Sequence, residues 1–156
     1  MNTNIALIAL GSNLGDPRQN VLRAIERLQT LSITPLLKSS LYETEPVDCP
    51  PDSPHFVNAV VAIKPLENET PESLLEKLQA IEIAFGRRPK KAANEPRPLD
   101  LDLIAFGSEN RNSSRLVLPH PRAHLRRFVL QPMCEIAQDL VLPGQSRTVK
   151  QLLATL

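Results

Sequence analysis

Apolar and polar positions along the chain change period several times, and each change marks an element. Ile5-Ala6-Leu7-Ile8-Ala9-Leu10 is a continuous apolar run ending at Gly11, as expected of a strand buried on both faces. After Gly11-Ser12-Asn13-Leu14-Gly15 the spacing turns helical. Asp16 is placed to cap, Pro17 takes the first helical position and Gln19 completes a capping box, with Val21, Leu22, Ile25, Leu28 and Leu31 as the inner stripe. Ser39 to Glu43 and Phe56 to Lys64 read as two strands, the second alternating Val57, Ala59, Val61 and Ile63 against Phe56, Asn58, Val60 and Ala62. Thr70-Pro71-Glu72 opens a second helix with Leu74, Leu78, Ile81 and Phe85 on its core side, and Gly86 stops it. Leu99, Leu101 and Leu103 then alternate with Asp100 and Asp102 in a strand running to Gly107, whose even-numbered face turns apolar at Ile104 and Phe106. A short strand at Leu116-Val117-Leu118 and a rigid Pro119-His120-Pro121 corner follow. A helix through Met133 and Ile136, bent or started late by Pro132, and a closing helix from Val149 to Leu156 end the chain.

The order strand-helix-strand-strand-helix-strand predicts an α+β fold. In this reading it is a ferredoxin-like βαββαβ sandwich, an antiparallel sheet under two helices, with a C-terminal strand and helices added. A length of 156 residues, 42% of them hydrophobic and 22% charged, suits a single domain over residues 1–156 that buries a real core. The net charge of +1 argues against a general nucleic-acid or membrane-surface binder, both of which need a large field of one sign. Cys49 and Cys134 match no metal or redox spacing and read as free thiols of a reducing compartment. No run is long and apolar enough to span a membrane and no leader pattern opens the chain, so a cytoplasmic protein is expected. The fifteen prolines cluster in short loops, and the one from Glu45 to His55, long for a hairpin, is a candidate ligand loop.

The chemistry gathers around Pro96-Arg97-Pro98-Leu99-Asp100-Leu101-Asp102. Two residues along a strand is about 6.6 Å of rise, so both carboxylates share a face at a spacing suited to hard divalent cations such as Mg²⁺. Prolines on both sides of Arg97 restrict its backbone, and the basic run Arg87-Arg88-Pro89-Lys90-Lys91 lies just upstream. Acids for metal with guanidinium and ammonium groups for phosphate are the parts of a nucleotide-dependent phosphoryl transferase. Gly11 to Gly15 is not a phosphate loop, because the lysine and hydroxyl that end that motif are absent and Asp16 follows the second glycine. Asn58 is an amide on an apolar strand face, to be satisfied either by the fold or by a ligand. His120 and His124 have helical metal-ligand spacing, yet Pro121 lies between them and no third ligand is near, so zinc is not expected there. His120, close to arginines, is suited to donate to a phosphate. An RNA-recognition module, the alternative on a sheet of this kind, needs stacking aromatics and a basic glycine segment that His55-Phe56-Val57-Asn58-Ala59 lacks.

Taken together, Ala9-Leu10-Gly11-Ser12-Asn13-Leu14-Gly15, Tyr42-Glu43-Thr44-Glu45-Pro46-Val47, Phe56-Val57-Asn58-Ala59, Pro96 to Asp102, Leu118 to Arg122 and Arg126-Arg127-Phe128-Val129-Leu130 resemble the 6-hydroxymethyl-7,8-dihydropterin pyrophosphokinases of folate biosynthesis. The likeness runs over nearly the whole chain. It implies an ATP-dependent diphosphotransferase that moves pyrophosphate from MgATP to the pterin hydroxymethyl group and releases AMP. It further implies two Mg²⁺ ions on Asp100 and Asp102, and Arg97 and Arg87 as catalytic cations. Gln79, Glu82, Lys90, Leu103, Arg115, His120 and Arg126 fall on the nucleotide side. Thr44, Glu45, Val47 and Asn58 fall at the pterin edge, with Phe56 and Phe128 about its ring. The expected partners are the two small substrates alone, with no nucleic acid and no membrane, acting on a monomer. Three departures from the family pattern stand out: Ala93-Asn94-Glu95 replaces an arginine-tryptophan-glycine segment, Pro89 stands at a usual arginine, and Asp48 at a usual glycine. They bear on closure of the basic loop, for which the sequence suggests a lid over the triphosphate.

Overall fold

The structure is a computed structural model that describes residues 4–45, 55–87 and 97–156. Its first strand, β1 (Ala6–Ser12), is the continuous apolar run, buried on both faces because it lies in the middle of a sheet. Helix α1 (Pro17–Gln29) follows, with the Asp16 carboxylate accepting from the Gln19 amide at 3.3 Å and Pro17 in the first turn. Its buried stripe is Val21, Ala24, Ile25 and Leu28. Leu22, expected inside, is 43% exposed, because the i, i+3, i+4, i+7 row that starts at Val21 passes through Ala24 instead.

The strand expected from Ser39 to Glu43 is two pieces, β2 (Leu37–Lys38) and β3 (Tyr42–Thr44), and both pair with β4 (Phe56–Ile63). Helix α2 (Pro71–Ala84) begins with a reciprocal capping box between Thr70 and Ser73 and buries Leu74, Leu78 and Ile81. Gly86, at φ 97°, turns the chain out of it in a conformation that glycine adopts without strain. The acid-bearing strand is β5 (Asp100–Phe106). The sheet is antiparallel, in the order β2-β4-β1-β5, with β3 also on β4.

Two apolar layers cover the two faces. On one, Ala6, Ile8 and Leu10 of β1 and Leu99, Leu101 and Leu103 pack under α1 and α2. On the other, Leu7, Val60, Ala62 and Ile104 pack under α3 (Arg127–Ala137) and α4 (Val149–Ala154). A register shift between β1 and β5 at Leu7/Ile8 puts Ile104 and Ala105 in the second layer and Phe106 in the first. Phe106 therefore leaves the face that carries Asp100 and Asp102, contrary to the simple alternation, because a bulge adds one residue to the period of two. A two-stranded piece, β6 (Arg111–Asn112) with β7 (Val117–Leu118), lies beside β5, and a single 3-10 turn at Ala123–Leu125 leads into α3. Pro132 lies inside α3 rather than delaying it, where it removes the N–H that would bond the Phe128 carbonyl. Among the described residues no helix is long and apolar enough to cross a membrane.

Candidate active site

Near the first turn of α3 the second face of the sheet is uncovered, leaving a cavity of about 200 Å³. Strand register explains which side chains reach it. Gly11 lies opposite Asn58 on one side and Asp100 on the other, and Ala9 opposite Val60 and Asp102, and residues opposite one another in an antiparallel pair share a face. The two small residues form the floor, and the walls are Thr44, Glu45, Phe56 and Asn58 on one side, Arg97, Asp100 and Asp102 on the other. Arg122, Arg126 and Phe128 close the rim. A Cβ added to Gly11 would stand 3.2 Å from Asn58 Nδ2 and 3.5 Å from the Phe56 ring.

The acid side is a charge network. Arg87 Nη1 donates to Asp100 Oδ1 at 2.7 Å and to Glu82 Oε2 at 3.1 Å, and Arg97 Nη1 reaches Asp100 Oδ2 at 3.4 Å. Glu82 Oε2 also accepts the Leu101 amide at 2.7 Å, which ties α2 to β5 beside the acids. Burial, with Asp100 and Asp102 adding repulsion, pushes the Glu82 carboxyl up to about 7, against the Leu101 bond and Arg87. Asp102 is likewise pushed up to about 6 by burial and by Asp100, with Arg126, Arg87 and Arg97 opposing. Two acids so close in a low-dielectric wall favour a cation between or beside them.

Arg97 is held by its backbone as well. Its N–H donates to Asn13 Oδ1 at 2.8 Å, and the Asn13 N–H donates to the Arg97 carbonyl at 3.1 Å. Asn20 Nδ2 donates to the Pro98 carbonyl at 3.2 Å. The Gly11–Gly15 turn thus docks the segment that carries Arg97, a role its sequence does not announce. On the opposite wall Thr44 Oγ1 donates to Asn58 Oδ1, so the fold supplies a partner for the Asn58 oxygen. The Arg126 guanidinium lies 5.2 Å from the centre of the Phe128 ring, a cation–π contact. His120 stands half-buried next to this rim, its Nδ1 accepting from the Arg122 amide at 3.2 Å. Burial, with Arg126 and Arg122, holds its pKa below the usual value.

The cavity therefore brings together Thr44, Glu45, Phe56, Asn58, Arg97, Asp100, Asp102, Arg126 and Phe128 of the expected site, with Arg87 and Glu82 joined to it through Asp100. Gln79 is exposed on α2, Leu103 is buried in the opposite layer, and Arg115 pairs with Glu76 at 2.9 Å. These three and His120 do not line the cavity. Val47 and Lys90 lie outside the described residues, as do Cys49 and the departures at Asp48, Pro89 and Ala93-Asn94-Glu95. Sequence reasoning missed Ala9, Leu10, Gly11 and Arg122 as cavity residues. Of these, only Arg122 carried a signal, its place between Pro121 and the later arginines.

A sequence model of the family described as 7,8-dihydro-6-hydroxymethylpterin-pyrophosphokinase (HPPK) matches residues 7–138. Among curated relatives, the 2-amino-4-hydroxy-6-hydroxymethyldihydropteridine pyrophosphokinase of Pseudomonas aeruginosa is 41% identical over 148 residues, 94% of this chain and 88% of that protein. The Haemophilus influenzae enzyme of the same name is 44% identical over 141 residues, 89% and 85% of the two chains. The fold is similar to that of the wild-type HPPK-DHPS of Plasmodium falciparum with pteroate, at a TM-score of 0.74 and 15% identity, covering 97% of this chain and 42% of that one. With the family model spanning most of the chain and relatives above 40% identity along almost all of it, the chain belongs to the 7,8-dihydro-6-hydroxymethylpterin-pyrophosphokinase family.

Proposed function

We infer that this cavity is where the chain transfers the pyrophosphoryl group of ATP to the hydroxymethyl oxygen of 6-hydroxymethyl-7,8-dihydropterin, leaving AMP, with Asp100 and Asp102 as the metal-binding acids. The observation that carries the reading is that a single sheet face presents both aspartates and the Thr44–Asn58–Phe56 wall to the same cavity. Order and direction of the strands also support assigning the sheet and its first two helices to a ferredoxin-like sandwich.

The acids fit magnesium by donor chemistry. Among the described residues no group of three or more His, Cys, Asp or Glu side chains forms a metal cage, and Mg²⁺ characteristically takes one or two carboxylates and completes its shell with phosphate oxygens and water. Arg87 on Asp100 is a cation already drawn to that carboxylate. Asp100 and Asp102 would hold the metal, read here as two ions, which would supply neutralisation of the phosphate charge.

The chain's own residues do the rest by position and charge. Arg97, anchored through Asn13, and Arg122 and Arg126 on the rim face the same cavity and suit the oxygens of a triphosphate. Arg87, held on Asp100 and Glu82 beside the cavity, is a further cation suited to phosphate. His120, with Nδ1 occupied, carries its proton on Nε2 when neutral and can donate it in a hydrogen bond. Asn58 and Thr44 suit the hydrogen-bonding edge of a pterin, and Phe56 and Phe128 its flat faces. No base is assigned, since phosphoryl transfer is accelerated mainly by alignment and charge neutralisation.

The test is AMP release from ATP. AMP is expected only with both Mg²⁺ and the hydroxymethyl pterin present, and neither Asp100→Ala nor Asp102→Ala should turn over. ADP as product, or near-normal rates in either variant, would overturn the assignment.

A further inference from the structure

The wall that carries Thr44 is an edge piece with few supports. Its strand, β3, has three residues and, among the described residues, pairs with β4 alone. Between it and β2 the ladder slips. Lys38 lies opposite Val61 and Tyr42 opposite Asn58, so four steps on one strand match three on the other, and one residue is extra. A bulge of this kind leaves a backbone group without a ladder partner and reverses which side chains face the core.

Two side chains absorb it. The Ser39 hydroxyl accepts the Val60 amide at 3.0 Å, standing in for a strand carbonyl. The amide of Ser40 donates instead to Glu135 Oε1 at 2.9 Å, and the Ser40 hydroxyl to Glu135 Oε2 at 3.0 Å. The Tyr42 hydroxyl donates to Glu135 Oε1 as well. One carboxylate on α3 thus takes three donors from the bulge and the first residue of β3. The bond to Tyr42 and those from Ser40 hold the Glu135 carboxyl below its usual range, and the same contact pushes the Tyr42 hydroxyl up to about 12. Acceptor and donor therefore keep their roles across neutral pH.

Glu135 stands two helical turns after Phe128, on the same side of α3. Tyr42 and Thr44 share a face of β3, opposite Asn58 and Phe56. The carboxylate consequently joins the helix that carries Phe128 to the strand that carries Thr44, at the end of each that lies away from the cavity. We propose that Glu135 is a positioning residue for the pterin subsite, pinning the Ser39–Leu41 bulge so that Thr44 stands beside Asn58 on the cavity wall. This rests on the assignment of that wall to the pterin.

The experiment compares wild type, Glu135→Ala, Glu135→Gln and Tyr42→Phe by equilibrium binding of the pterin and of an unreactive ATP analogue with Mg²⁺, with backbone hydrogen exchange over residues 40–44 in the ligand-free chains. Glu135→Ala is expected to weaken pterin binding about tenfold, the scale of a lost charge-assisted hydrogen-bond set. Nucleotide binding should stay within about twofold, and exchange over residues 40–44 should quicken. Glu135→Gln keeps an acceptor oxygen and should recover most of the loss, and Tyr42→Phe should fall between. Equal weakening of both ligands, no weakening of either, or no rescue by Glu135→Gln would overturn the inference while the pterin assignment stands. If Glu135→Ala is too unstable to measure, a pterin-selective loss in Tyr42→Phe supports the inference, and its absence overturns it. A wild-type chain that binds no pterin would overturn both.

Discussion

Asp100 sits between two guanidiniums, one at 2.7 Å and one at 3.4 Å, which makes Arg87 a competitor for the cation the carboxylate is proposed to hold. Arg87→Ala is therefore expected to tighten Mg²⁺ binding to the ligand-free chain up to about fivefold, the worth of one partly exposed ion pair, while turnover falls; titration calorimetry and AMP release separate the two effects. Gly11→Ala gives a second residue-level expectation. The new methyl would press on Asn58 and Phe56, so pterin affinity should drop severalfold with nucleotide affinity intact, read by binding of each ligand. The two aspartates were legible because a period of two is local and needs no knowledge of neighbours. Gly11 was not, since only the pairing of β1 with both β4 and β5 puts it under the cavity. Asn58 stayed open in the sequence for a related reason, as its donor Thr44 comes from another strand.

Elements with strong periodicity were read well and short ones poorly. α2 starts at its Thr70 cap and ends before Gly86 as the pattern predicts, because caps and breakers act within one turn. β6 has two polar residues, pairs with β7 and is tied to α2 by Arg111 on Glu72, so nothing in its composition marks it as a strand. The break between β2 and β3 depends on a serine hydroxyl and on α3, both invisible to a local window. The turn from Gly11 to Gly15 shows how far an element can exceed its local reading. Spacing makes it a strand-to-helix connection, while Asn13 fastens it to the Arg97 segment by two bonds of 2.8 and 3.1 Å. Asn13→Ala removes the acceptor for the Arg97 amide, a change worth about 1–3 kcal/mol for a buried donor. The expected result is a kcat/KM for ATP about tenfold lower and a pterin affinity barely changed, measured by steady-state kinetics with each substrate varied.

At the scale of the whole molecule, the sheet is covered by α1 and α2 on one face and by α3 and α4 on the other, and the cavity exists because the second cover stops short of the acids. Sinking Asp102 into that wall, with Glu82 buried beside it on α2, couples the site to global stability. Burial pushes their carboxyls up to about 6 and about 7, from ordinary values of 3.8 and 4.5. A raised carboxyl binds its proton more tightly in the folded chain than in the unfolded one, so its contribution is full below the unfolded value and disappears as pH rises through the folded one. Glu72 and Glu135, both held low by hydrogen bonds from Arg111 and Tyr42, act the other way, their contribution being lost as pH falls. Between pH 5 and 8 the buried pair gives up its protons, and the metal-free chain should lose on the order of a few kcal/mol across that interval, offset in part by His120, whose lowered value acts in the opposite sense; the net is seen as a falling Tm. Glu82→Gln, which cannot ionise, should flatten the slope and raise Tm at pH 8. Mg²⁺ should work in the opposite sense to the protons it displaces, lifting Tm more at pH 8 than at pH 5; a metal-induced shift that is equal at both pH values would separate the cation from these carboxylates.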